Sequence, residues 1–171
     1  PDLVVASRGN DQEGIATLRK LGIPVFALDI QTLDQMLVAL ERLGKLGRAE
    51  AQATRVKKDL ERRVAPVRKK VAAQANQPKV MWGYWEEPVY TAGPRTMIDD
   101  VFTAAGGINV GRQATEAWPQ IGLETILAWA PEVIITSYPP QLRDPDRLKE
   151  ELQRLRQRAG WQEVPAVKQG R

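Results

Sequence analysis

Two heptapeptides, PDLVVAS at residues 1–7 and PEVIITS at residues 131–137, share one pattern: proline, an acid, an apolar β-rich run, a small residue and serine. The residues after each copy also match. EGIATLRKLG (13–22) and then IPVFALD (23–29) come after the first; DRLKEELQRLRQRAG (146–160) and then VPAV (164–167) come after the second. Each copy therefore predicts a strand, a helix stopped by glycine, and a second strand opening near a proline, the parallel β-α-β unit of an α/β fold. The β-branched VIITS run reads as a strand buried on both faces. Roughly fifty residues, 79–130, precede the second copy's proline and none precedes the first. The chain is thus expected to be a piece of a larger α/β protein, truncated at both ends, with VPAVKQGR beginning a strand that has no closing helix.

Between the copies lie two helical stretches. TLDQMLVALERLG (32–44) carries N-capping character in Thr32 and Asp34 and is expected to stop at Gly44 and Gly47. Residues 47–75 then predict a helix close to 28 residues long, about 42 Å at 1.5 Å per residue. Val56, Leu60, Val64, Val67 and Val71 keep three-to-four spacing, so this helix should lie along something rather than float. Pro66 removes one backbone bond within it. The pattern predicts a long helix joining two α/β lobes.

The chain has 25 basic and 21 acidic residues, a net charge of +4, and much of the excess sits in RVKKDLERRVAPVRKK (55–70) among acids. That interleaving reads as a solvated helix face and not as a nucleic-acid footprint. With neither cysteine nor histidine in the sequence, thiol and imidazole catalysis, Cys/His zinc sites and disulfides are excluded. No run of eighteen apolar residues occurs, and PDLVVAS lacks the basic start of a signal peptide. NDQEG (10–14) is acidic without the spacing of a calcium loop. AAGGINVG (104–111) is not a dinucleotide fingerprint, and no phosphate-binding GxxxxGK[ST] loop is present.

Residues 76–111 predict a strand, KVMWGY; a hairpin-like loop, WEEPVYTAG; and a helix, PRTMIDDVFTAAG, with Pro94 near its first turn, Met97, Val101, Phe102 and Ala105 on its buried face, and a stop at Gly106 and Gly107. Further on, Leu123, Ile126, Leu127 and Ala130 form the apolar face of a short helix stopped by Pro131, with Glu124 pointing outward. Aromatic residues make up only 6% of the chain, yet Trp82, Tyr84, Trp85 and Tyr90 crowd into nine residues and Trp118 stands in the next loop. Loops beyond the carboxyl ends of strands are where α/β sheets hold ligands, and flat rings stack on flat ligands. The pattern suggests a binding surface more than a catalytic one.

PDLVVASRG, LRKLGIPVFALD, VYTAG, VFTAAGGINV and AWPQIGLETILAWAPEVIITS, together with the spacer helix, resemble the substrate-binding proteins of ABC importers for vitamin B12, iron siderophores and haem. The resemblance covers nearly the whole chain in order, and Trp-Pro-Gln before LETIL and the YTAG motif are most similar to the cobalamin-binding branch. It implies two Rossmann-like lobes bridged by a long helix. Residues 1–31 would be the end of the first lobe, 32–75 the helical connection and 76–171 a second lobe incomplete at its C-terminus. It implies a ligand, cobalamin, captured between the lobes without chemistry or cofactor, on Tyr84, Tyr90 and Trp118, with Ser7 and Arg8 after the first strand and Trp85 as a neighbour. It also implies that Glu124 docks on arginines of a membrane permease, and that an equivalent glutamate lies about seven residues before Pro1. A ferric siderophore is the main rival ligand, since Arg8 suits anionic groups; haem is the less favoured one, with no histidine to ligate it. The resemblance places the protein in the periplasm or on an extracellular lipid anchor. Two readings outside this class compete with it. A metal-cluster enzyme on the same scaffold would need cysteine or histidine ligands, and this chain has none; an interaction module on the basic helix would bind with steep salt dependence and ignore corrins.

Overall fold

A computed structural model of the chain describes residues 1–7, 9, 11–83, 88–136 and 145–171. They form two units, Pro1–Glu61 and Arg62–Arg171, and the division falls inside a long helix.

In the first unit β1 (Val4–Ser7), α1 (Gln12–Lys20) and β2 (Val25–Leu28) make the expected β-α-β arrangement, with the strands parallel from Val4↔Val25 to Ser7↔Leu28. Asp11 starts α1: its carboxylate accepts the N–H groups of Glu13 and Gly14, each at 3.0 Å. The acidic NDQEG stretch thus contributes a helix cap. α2 (Leu33–Leu46) begins where Thr32 Oγ1 accepts the Gln35 N–H at 3.1 Å. The break between helices falls at the second of the two expected glycines: α2 runs through Gly44 to Leu46, and Gly47 caps it. Gly44 serves a different need: a Cβ there would collide with the methyl of Ala53 in α3 (Glu50–Ala72), so glycine lets the two helices approach.

α3 has 23 residues and continues through Pro66, a length of about 34 Å. Leu60, Val64 and Val71 are half-buried, whereas Val56 and Val67 are exposed and no residue of the helix is fully buried. The expected apolar stripe is therefore only partly covered among the described residues. Lys57 Nζ reaches Glu41 of α2 at 2.6 Å and Glu61 at 3.9 Å. Its hydrogen bond and charge hold the Glu41 carboxyl below the usual range, and Glu41 in turn raises the Lys57 ammonium. Both groups face water, where such a pair adds little to stability.

The second unit holds β3 (Lys79–Trp82), β4 (Val89–Tyr90), α4 (Met97–Ala104), β5 (Ile108–Asn109), β6 (Gln120–Ile121), α5 (Leu123–Trp129), β7 (Val133–Ile135), α6 (Pro145–Gln157) and α7 (Pro165–Gln169). β3 lies between β5 and β7 in a parallel sheet, while β4 and β6 form a separate antiparallel ribbon. Met81, Val89, Ile126, Trp129, Leu155, Trp161 and Val164 share one apolar core, which joins sheet, ribbon and the last three helices. α5 has its expected face: Ile126 is buried, Leu123 and Leu127 are half-buried and Glu124 is exposed. It ends at Trp129, and Ala130 in the left-handed region (φ 50°) turns the chain ahead of Pro131.

Four local expectations fail for identifiable reasons. VPAV is not a strand. Pro165, whose ring presets φ for a first helical turn, opens α7 instead, and Gly170 in the left-handed region closes it. The two copies of the repeat therefore part at their last element: Pro24 leads into a strand and Pro165 into a helix. α4 starts at Met97 and not at Pro94, which lies two residues ahead of its cap, because Thr96 is the cap and its Oγ1 accepts the Asp99 N–H. On α4, Val101 and Ala105 are exposed while Asp99 is buried beside Phe102; a carboxylate takes an inner position because Asn109 and Arg112 pair with it there. β7 spans three residues and is not covered on both faces. It stands at the edge of the described sheet, Val133 and Ile134 are half-buried and Ile135 is exposed.

Candidate functional site

The ribbon explains how two loop aromatics come to share a surface. Val89 faces Ile121 and Tyr90 faces Gln120; past the strand ends, the Thr91 N–H donates to the Pro119 carbonyl at 3.1 Å and the Gly93 N–H to the Ala117 carbonyl at 2.8 Å. Residues opposed across an antiparallel pair lie on one side, and successive residues alternate. Val89, Thr91, Pro119 and Ile121 thus point into the unit and are buried. Tyr90, Gln120 and Trp118 point out, and Tyr90 and Trp118 keep 53% and 52% of their surface exposed. Gly93 permits the close pairing, since a Cβ at that position would run into the Glu116 carbonyl oxygen.

A buried polar network fixes this ribbon to the rest of the unit. The Thr91 hydroxyl donates to the Trp82 carbonyl at 2.5 Å, joining the ribbon to the end of β3. The Asn109 side chain donates to the Ala92 carbonyl and to Asp99 Oδ1, each at 3.0 Å, and accepts the Gly111 N–H at 3.1 Å. Arg112 Nε binds the same Asp99 oxygen at 2.5 Å, and its Nη2 reaches the Thr103 hydroxyl at 2.9 Å. The Asn109 carboxamide thus has buried partners for both its N–H donors and for its oxygen, as burial of polar groups requires. Next to the ribbon, the Trp82 ring meets the Trp118 ring edge-on, with centroids 5.8 Å apart and an interplanar angle of 76°.

Of the residues singled out from sequence, the structure brings Tyr90 and Trp118 onto one face. Ser7 ends β1 in the other unit, exposed, with its hydroxyl accepting the Gly9 N–H at 3.4 Å. Arg8, Tyr84 and Trp85 lie outside the described residues. Glu124 is exposed in the first turn of α5, three residues past the ribbon's Ile121. The sequence marks Thr91 and Gln120 only as members of the YTAG and Trp-Pro-Gln motifs, with no role of their own, and marks neither Asn109 nor the contact made by Trp82. The alternation of Val89 to Thr91 against Pro119 to Ile121 could have revealed the first two, but only once the two segments were paired. Among the described residues no group of three or more acidic side chains could hold a metal ion, and no helix is long and apolar enough to cross a membrane.

The whole chain, residues 1–171, matches the periplasmic binding protein family. A vitamin B12-binding protein of Pectobacterium atrosepticum is 29% identical over 140 residues, which are 79% of this chain and 50% of that protein; the chain spans about half the length of the B12-binding relatives it matches. Among solved structures, the periplasmic vitamin B12 binding protein of Vibrio cholerae superposes with a TM-score of 0.76 at 26% identity, covering 99% of this chain and 63% of that one. A periplasmic haem-binding protein of Roseiflexus sp. superposes equally well, with a TM-score of 0.76 at 22% identity over 100% of this chain and 65% of that one, and so shares the fold. With its parallel β-α-β units, long helix and full-length match, this chain belongs to the periplasmic binding protein family.

Proposed function

We propose that the protein is the substrate-binding component of an ABC importer and that it captures cobalamin without chemistry, on the outward face of the β4–β6 ribbon. One observation carries this reading: two large rings, Tyr90 and Trp118, stand half-exposed on one face while the residues that alternate with them are buried. Half-exposed rings on one face offer a flat ligand a surface to stack on. The similarity to B12-binding relatives supports cobalamin as that ligand. Ser7, Arg8, Tyr84 and Trp85 are proposed contacts on the strength of the resemblance. The family supports a periplasmic or lipid-anchored location.

Delivery is assigned to Glu124, an exposed acid at the first turn of α5 that would pair with arginines of the permease. The test uses the full-length protein with its permease in vesicles and radiolabelled cyanocobalamin. Wild type should bind the label and deliver it; Glu124→Ala should bind with an affinity within about twofold, as a surface substitution does, and deliver at least about tenfold less. A large loss of affinity in Glu124→Ala would remove its docking role, and no binding by wild type would remove cobalamin as the ligand.

A further inference from the structure

We infer that Trp82 is a positioning residue for the ligand face: it holds the Trp118 indole in one orientation before any ligand arrives. The inference rests on the reading that Trp118 binds ligand, and its own observations are separate from that reading.

Trp82 is the last residue of β3, the central strand of the parallel sheet, so its side chain stands at the carboxyl end, where crevices of such sheets lie. Its ring is half-buried and meets Trp118 edge-on. Trp118 itself sits on a loop with half its surface in water. A tryptophan so placed has several staggered rotamers open to it, and an edge-to-face partner favours the one that keeps the contact. The strength typical of such pairs corresponds to a population bias of about 2- to 10-fold.

The contact is useful only if Trp82 is itself fixed relative to the Trp118 loop, and the backbone does this. Thr91 is fully buried; its hydroxyl bonds the Trp82 carbonyl and its N–H bonds the carbonyl of Pro119, the residue next to Trp118. An isolated antiparallel bridge between Gly83 and Thr91 adds a third tie. One residue thus joins the strand end that carries Trp82 to the loop that carries Trp118. A ring ordered in advance removes part of the ordering cost of binding, which appears as affinity without any added ligand contact.

The test compares Trp82→Leu, which fills space but offers no ring edge, with Trp82→Phe, which keeps one, in the full-length protein. The first readout needs no ligand. With 5-fluorotryptophan incorporated, and the Trp118 signal assigned by its loss in Trp118→Phe, the fluorine NMR of wild type should show one sharp Trp118 resonance. Trp82→Leu should split or broaden it and Trp82→Phe should leave it single. The second readout is the cyanocobalamin dissociation constant, expected to rise about 2- to 10-fold in Trp82→Leu and to stay within about twofold in Trp82→Phe. An unchanged Trp118 resonance in Trp82→Leu, or an unchanged dissociation constant despite a broadened one, overturns the positioning role. If wild type fails to bind cyanocobalamin, the ligand reading falls, and the fluorine signal alone then decides whether Trp82 orders Trp118.

Discussion

Trp118→Ala is expected to weaken cyanocobalamin binding by about 30-fold or more, near 2 kcal/mol, while lowering folding stability by less than about 1.5 kcal/mol. The two effects separate because of where the ring stands. Half of its surface is in water, so truncation opens no cavity in the core; the stability lost is that of the edge contact with Trp82. In the complex the same ring would be covered, and large aromatic anchors that become fully covered dominate binding energies. Isothermal titration of both proteins, paired with thermal unfolding, checks the two halves together. A variant that unfolds readily and binds normally would reverse the assignment and make Trp118 a packing residue.

The largest expected loss of stability comes from the other side of the ribbon. Asn109→Ala should cost about 2–4 kcal/mol, because it leaves the Ala92 carbonyl and the Gly111 N–H without a partner in the interior and takes one donor from the buried Asp99 carboxylate. Each orphaned group carries a desolvation penalty, because Asn109 is only 1% exposed and its partners meet it in the interior. Urea unfolding should show a lower midpoint with an unchanged slope, the mark of a stability change without a change in compactness. A shift of less than about 0.5 kcal/mol would mean that the network does not hold the ribbon.

Periodic elements are plain in the sequence and paired ones are not. α1, α2 and α5 announce themselves through capping residues or three-to-four spacing, and each depends only on neighbours along the chain. The ribbon has two residues in each strand, separated by roughly thirty in sequence. Nothing local states that Tyr90 opposes Gln120, so only the family resemblance, and no spacing along the chain, points to a common face for Tyr90 and Trp118. Gly44 misleads for a related reason. It resembles a stop signal, but its role is set by Ala53 on the next helix, a tertiary contact. Asp99 is hidden by the expectation that inner helix positions are apolar; its partners, Asn109 and Arg112, lie ten and thirteen residues downstream. VPAV shows how little a proline decides alone. A proline flanked by apolar residues enters a strand at Pro24 and a helix at Pro165, and the second outcome is set by the closing Gly170 and by the burial of Ala166 and Val167.

The most direct test of the central claim is a titration of the full-length protein with cyanocobalamin, following tryptophan fluorescence. The outward ribbon face predicts saturable quenching at one ligand per protein, with the midpoint moved to about 30-fold higher ligand concentration or beyond in Trp118→Ala. Quenching that rises linearly with ligand and is the same in both proteins would reflect light absorption and collisions alone, and would contradict cobalamin capture on this face.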